Sequence, residues 1–117
     1  MLAAFSRLFR KAPSEPVWVD VATLRAQMAG GAAPLILDVR GPDEFDGPLG
    51  HIDGAVLIPL PEFGARQGEV AGAGRPIVCV CLTDKRSSAA AAQLAAAGVD
   101  RVSVLRGGMK AWREAAS

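Results

Sequence analysis

Ile77-Val78-Cys79-Val80-Cys81-Leu82-Thr83-Asp84-Lys85-Arg86-Ser87-Ser88 opens with an unbroken apolar run and ends on a polar cluster. An apolar run of that length, with β-branched Ile77, Val78 and Val80, predicts a strand buried on both faces. Residues 87–97 read as an Ala-rich helix stopped by Gly98. Small side chains let such a helix lie close against a sheet. Strand, short polar loop and helix in direct succession form the repeating unit of an α/β fold.

Outward from this unit the same pattern recurs. Towards the N-terminus lie Ala55-Val56-Leu57-Ile58 closed by Pro59, Leu35-Ile36-Leu37 introduced by Pro34, and Val17-Trp18-Val19; towards the C-terminus lies Val102-Ser103-Val104-Leu105. Asp20 is placed to cap a helix carrying Val21, Leu24 and Met28 at i, i+3 and i+7, which Gly30-Gly31 ends. Gly107-Gly108 precedes a last helix with Met109, Trp112 and Ala116 on one face, and residues 41–54 form a Gly/Pro/Asp-rich passage. Strand candidates without polar alternation, interleaved with helices, predict an α/β fold: an about five-stranded parallel sheet flanked by helices on both faces.

Composition narrows the function classes. The chain has 117 residues, enough for one domain, with 50% hydrophobic and 21% charged residues, which argues against disorder. Thirteen basic and twelve acidic residues leave a net charge of +1, so no basic field exists to bind a nucleic-acid backbone. The longest uncharged stretches, residues 26–37 and 87–99, fall short of the roughly 20 apolar residues of a membrane span. The expectation is a soluble, cytoplasmic protein with no nucleic-acid partner and no stable membrane insertion. Cys79 and Cys81, two apart on an extended strand, would have Cα atoms about 6.6 Å apart, near the limit for a bridge, which points to a reducing compartment.

Residues 1–11 place Leu2, Phe5, Leu8 and Phe9 at helical spacing beside Arg7, Arg10 and Lys11. The segment is too short for a secretory signal, and its charges follow the apolar residues. A frayed or docked extension, a transit peptide and a membrane- or partner-binding helix all stay open. Pro13 and Pro16 mark a linker, so residues 1–16 read as an extension and residues 17–117 as the domain.

In open α/β sheets the working groups gather beyond the carboxyl ends of the strands. Asp38 and Cys81 both stand there, and Cys81 is the better candidate. A cysteine between a strand end and a helix N-terminus meets unpaired backbone amides and the positive end of the helix dipole, which favour the thiolate. Arg86 offers a planar donor fork to an anionic substrate. The thiol must face those amides and have a route to solvent for this to operate.

The stretch Cys81-Leu82-Thr83-Asp84-Lys85-Arg86-Ser87 resembles the active-site loop of rhodanese-like sulfurtransferases. So do Leu37-Asp38-Val39-Arg40 with Glu44-Phe45, Gly50-His51-Ile52 with Gly54-Ala55 and Ile58-Pro59, and Leu105-Arg106-Gly107-Gly108 with Trp112. The joint order of these pieces is specific where each alone is weak. The resemblance implies a single-domain sulfurtransferase without metal or organic cofactor. Cys81 would take a sulfane sulfur from a small anionic donor or a protein persulfide and pass it to a thiol or cyanide. Leu82, Thr83, Asp84, Lys85 and Arg86 would bind the substrate. Asp38, Arg40, Glu44, His51 and Ser87 would support the loop, with Asp38, Arg40 and Glu44 in one charge network and His51 fixing a loop by hydrogen bonding. The competing class is a non-catalytic protein-binding module on the same fold. The four residues between Cys81 and Arg86 make a smaller loop than the Cys-x5-Arg cradle of related phosphatases and arsenate reductases.

Two positions depart from the pattern of thiosulfate-using relatives: Leu82 stands where arginine is frequent and Asp84 where glycine is frequent. An acid beside the thiol disfavours the thiolate and repels a dianion, and Lys85 compensates only in part. Thiosulfate is therefore expected to be a poor donor and a persulfide a better one. Cys79 reads as a small buried hydrophobe, and Cys79, Cys81 and His51 are too few for a zinc site. Trp18 and Trp112 read as core or near-core residues.

Overall fold

The computed structural model describes residues 16–116, so the amphipathic segment 1–11 and all of the linker but Pro16 lie outside the described residues. The elements in chain order are β1 (Trp18–Val19), α1 (Val21–Ala29), β2 (Leu35–Asp38), α2 (Pro42–Phe45), β3 (Val56–Leu57), α3 (Leu60–Arg66), α4 (Gly68–Ala71), β4 (Ile77–Val80), α5 (Lys85–Ala96), β5 (Val102–Leu105) and α6 (Gly108–Ala116). The strands form one five-stranded sheet in the order β1-β5-β4-β2-β3. Every neighbouring pair is parallel, with Cys79 of β4 level with Leu37 of β2 and Val104 of β5. All five strands therefore end on the same side, and the loop after β4 leaves from the middle of that edge.

Alternation along β4 divides the core in two. Ile77 and Cys79 pack with Phe63 of α3, Val70 of α4 and Ala90, Ala91 and Leu94 of α5. Val78 and Val80 pack with Leu24 of α1 and Met109 and Trp112 of α6. Both faces of the sheet are thus covered, which is why its strands are apolar throughout. The buried alanines of α5 are the small side chains that bring that helix close to the sheet.

Local chemistry accounts for the helix limits. Asp20 caps α1, its Oδ1 accepting the Thr23 N–H at 2.8 Å, and the helix stops at Ala29 before Gly30. Helix α5 begins at Lys85, two residues before the expected start. Residues 60–76 show no element pattern in the sequence, yet they hold α3 and α4. Joining two parallel strands demands a crossover there. Its helical pattern is thin because Pro61, Gly64 and Gly68 interrupt it, and Phe63 and Val70 are its only fully buried residues. Ala116, expected on the inner face of α6, is exposed. The helix buries Gly108, Met109 and Trp112 instead.

Candidate active site

Strand β4 delivers Cys81 to the sheet edge, and the chain turns through residues 82–84 into α5. The Cys81 side chain points to the α5 face. Its Sγ accepts the Ser87 backbone N–H at 3.3 Å and lies 3.2 Å from the Ser87 hydroxyl. Ser87 is fully buried in the first turn of α5. The thiol therefore meets a free amide of the helix N-terminus, where unpaired N–H groups and the dipole favour negative charge.

The loop is tied from behind by α6. Met109 N–H donates to the Cys81 carbonyl at 2.9 Å and Lys110 N–H to the Leu82 carbonyl at 3.1 Å. Because a trans peptide sets N–H and C=O on opposite sides, the amides of Leu82 and Thr83 are turned away from α6. Gly108, at φ +57°, lets this approach happen: a Cβ there would overlap the carbonyls of Cys81, Leu82 and Thr83. In the sequence Gly107-Gly108 marks a helix boundary and belongs to the resemblance. Its packing role is legible only once the two segments are in contact.

Leu82, Thr83 and Lys85 are exposed and Asp84 is half-buried, so the substrate-binding candidates form the outer rim of the loop. Cys81 itself is 1% exposed. The thiol faces the helix amide as the sequence reading requires, but it sits at the margin of the apolar cluster under α5 and is closed to solvent. Cys79, two residues back on the same face, is deeper: burial pushes its thiol up to about 12, with a smaller contribution from the neighbouring Cys81.

The supporting residues divide into two groups that sequence reasoning had joined. Asp38 and Arg40 form a buried pair, with Nη2 to Oδ2 at 2.8 Å and Nε to Oδ1 at 3.0 Å. Arg40 also donates to the carbonyls of Glu44 at 3.1 Å and Gly50 at 2.7 Å. The Glu44 carboxylate turns elsewhere: it takes the Arg86 fork, Nη1 to Oε1 at 2.7 Å and Nη2 to Oε2 at 2.9 Å. Those bonds to Arg86 hold the Glu44 carboxyl at about 2, well below its ordinary 4.5. The fork expected to meet a substrate is thus filled by a residue 42 positions away, a pairing no local pattern announces. His51 donates from Nδ1 to the Phe45 carbonyl at 2.9 Å, and its ring stacks on Phe45 at 3.6 Å. Among the described residues no group of three or more His, Cys, Asp or Glu is placed to hold a metal ion. No helix among them is long and apolar enough to cross a membrane.

Comparison with known proteins places this fold. Residues 20–115 match the family described as Rhodanese-like domain. The chain belongs to that family. Thiosulfate sulfurtransferase GlpE of Shewanella oneidensis is 37% identical over 89 residues, covering 76% of this chain and 85% of the relative. An uncharacterised Synechocystis sp. protein is 39% identical over 83 residues, 71% of this chain. The chain spans only 45% of that protein, and only 39% of the tRNA uridine(34) hydroxylase of Bordetella parapertussis, to which it is 33% identical over 78% of its own length. The solution structure of the rhodanese-like domain from an Anabaena sp. protein superposes with a TM-score of 0.73 at 32% identity, covering 86% of this chain and 75% of that one. This rhodanese-like chain therefore has relatives named as sulfurtransferases, and its fold is that of solved rhodanese-like domains.

Proposed function

We propose that residues 17–117 act as a sulfurtransferase through a persulfide on Cys81. In the first step the Cys81 thiolate attacks the outer sulfur of a donor. The new Sγ–S bond forms as the donor's S–S bond breaks, and the donor's inner fragment leaves with the electron pair, as a thiolate from an alkyl persulfide or as sulfite from thiosulfate. In the second step an acceptor thiolate or cyanide attacks the outer sulfur, and the Cys81 thiolate is the leaving group. Neither step needs a metal, an oxidant or an organic cofactor.

The observation that carries this reading is the contact of Cys81 Sγ with the Ser87 N–H and hydroxyl at the start of α5. The same amide environment that favours the thiolate would receive the charged outer sulfur. Because Cys81 is nearly closed off, transfer requires the rim, residues 82–85, to part around the incoming sulfur. That closure also favours a second reading, a non-catalytic rhodanese-like module that binds a partner protein.

One experiment separates the two. After exposure to an alkyl persulfide, intact-mass and peptide mapping should find one added sulfur atom on Cys81. It should be absent in Cys81→Ser, and Cys79, held protonated by burial, should stay unmodified. A wild-type chain that gains no sulfur from either an alkyl persulfide or thiosulfate would favour the binding module.

A further inference from the structure

The register of the sheet sets a second arginine beside Cys81. Cys79 of β4 is level with Val104 of β5, and both pack under α5. Side chains alternate along a strand, so Val80 and Leu105 turn to the opposite face, towards α1 and α6. Two residues beyond Cys79 and Val104, Cys81 and Arg106 therefore leave the sheet at one level and towards the same face, from neighbouring strands about 4.8 Å apart. Backbone contacts keep the two segments together past the strand ends. Arg106 N–H donates to the Val19 carbonyl at 2.8 Å, and the Cys81 carbonyl accepts the Met109 N–H at 2.9 Å. The Arg106 side chain is exposed, and its guanidinium lies over the Trp18 ring, 4.2 Å from the centroid. Stacking occupies the face of a guanidinium and leaves its N–H edge for an anion lying in its plane. Asp20 and Glu114 border the same cleft, but Asp20 is turned to the Thr23 N–H, and among the described residues Arg106 makes no ion pair. The fork of Arg86, by contrast, is filled by Glu44.

We propose that Arg106 is a substrate-binding residue of the Cys81 site, holding the carboxylate at the far end of an alkyl persulfide while the outer sulfur passes to Cys81. This inference rests on the sulfur-transfer reading above and adds the residue that recognises the rest of the donor. The carboxylate takes no part in the bond changes: the Sγ–S bond forms as the donor's S–S bond breaks, and the donor thiolate leaves with the electron pair. Arg106 acts on the affinity for the donor, because the carboxylate it holds is equally charged before and after transfer. Lys85 and Lys110 are exposed on the same side of the molecule, but an ammonium is a point charge without the planar fork that takes a carboxylate by two parallel bonds. Trp18 is the partner that holds the Arg106 fork in place before a donor arrives.

The test uses the full chain and the persulfides of mercaptopropionate and mercaptopropanol, which differ only in carboxylate against alcohol. Intact mass followed over a range of donor concentrations gives the maximal rate of Cys81 sulfuration and the half-saturating concentration for each donor. In Arg106→Gln the half-saturating concentration of the propionate persulfide should rise about fivefold, the share of one exposed charge pair, and the preference for propionate over propanol should fall by the same factor. Lys110→Gln removes an equal charge from the first turn of α6 and should lower that preference far less. A purely structural role for Arg106 would depress both donors together and leave the preference where it was. A preference unchanged in Arg106→Gln therefore overturns the inference. So does one lowered equally by Lys110→Gln, because net charge alone then accounts for it. If Arg106→Gln does not fold, as read by circular dichroism, Arg106→Met decides by the same criterion. If wild type takes sulfur from neither persulfide, the sulfur-transfer reading fails, and this inference with it.

Discussion

At the residue scale, Cys81 and Ser87 are one unit. The Ser87 amide is backbone and survives replacement by alanine, whereas its hydroxyl is a separate contact with Sγ at 3.2 Å. Ser87→Ala should therefore slow Cys81 sulfuration by about three- to tenfold without abolishing it, the range for one lost hydrogen bond to the reacting group. The check is a sulfuration time course followed by mass, and a variant as fast as wild type would remove the hydroxyl from the account. That Cys81 ends a strand just before a helix N-terminus, with Arg86 and Ser87 close behind it in the chain, was legible in the sequence. What Arg86 touches was not, because its partner lies on another element, and chain spacing carries no information about which carboxylate will arrive.

At the scale of elements, the site is the meeting of β4, α5, α2 and the N-terminus of α6. Gly108 is the tightest point of that meeting, with a left-handed backbone and the loop carbonyls against the place of its missing Cβ. Gly108→Ala should cost more than about 2 kcal/mol, from strain at positive φ together with displacement of the loop, and should impair sulfur transfer further than the stability loss explains. Urea denaturation and single-turnover sulfuration of the same preparation check both parts. The α2–α5 link has its own signature in acid. The Glu44 carboxyl is at about 2 in the fold against an ordinary 4.5, so the unfolded chain binds more protons across that interval. Its contribution to stability is fully present above the ordinary value and is lost as pH falls towards about 2. Urea midpoints measured from neutral pH into acid should fall less steeply in Glu44→Gln than in wild type over that window, and parallel curves would contradict the link.

At the scale of the molecule, the five strands and the two covered faces were legible because a parallel sheet writes itself as apolar runs between helices. The Asp20 cap and the Gly30-Gly31 stop set the limits of α1 closely. The α3–α4 crossover was not legible: prolines and glycines break its periodicity, and only the sheet order requires a helix there. The closure of Cys81 was equally invisible, since a strand-end cysteine reads the same whether its thiol looks outward or beneath the next helix. That closure makes the path of the sulfur the central question for the whole domain. A crystal structure of the protein sulfurated on Cys81 answers it directly. The account predicts the outer sulfur within the loop, at hydrogen-bonding distance of backbone amides from residues 83–87 and beneath the rim of Leu82 and Lys85. An outer sulfur directed instead into the apolar cluster below α5, away from every one of those amides, would contradict it.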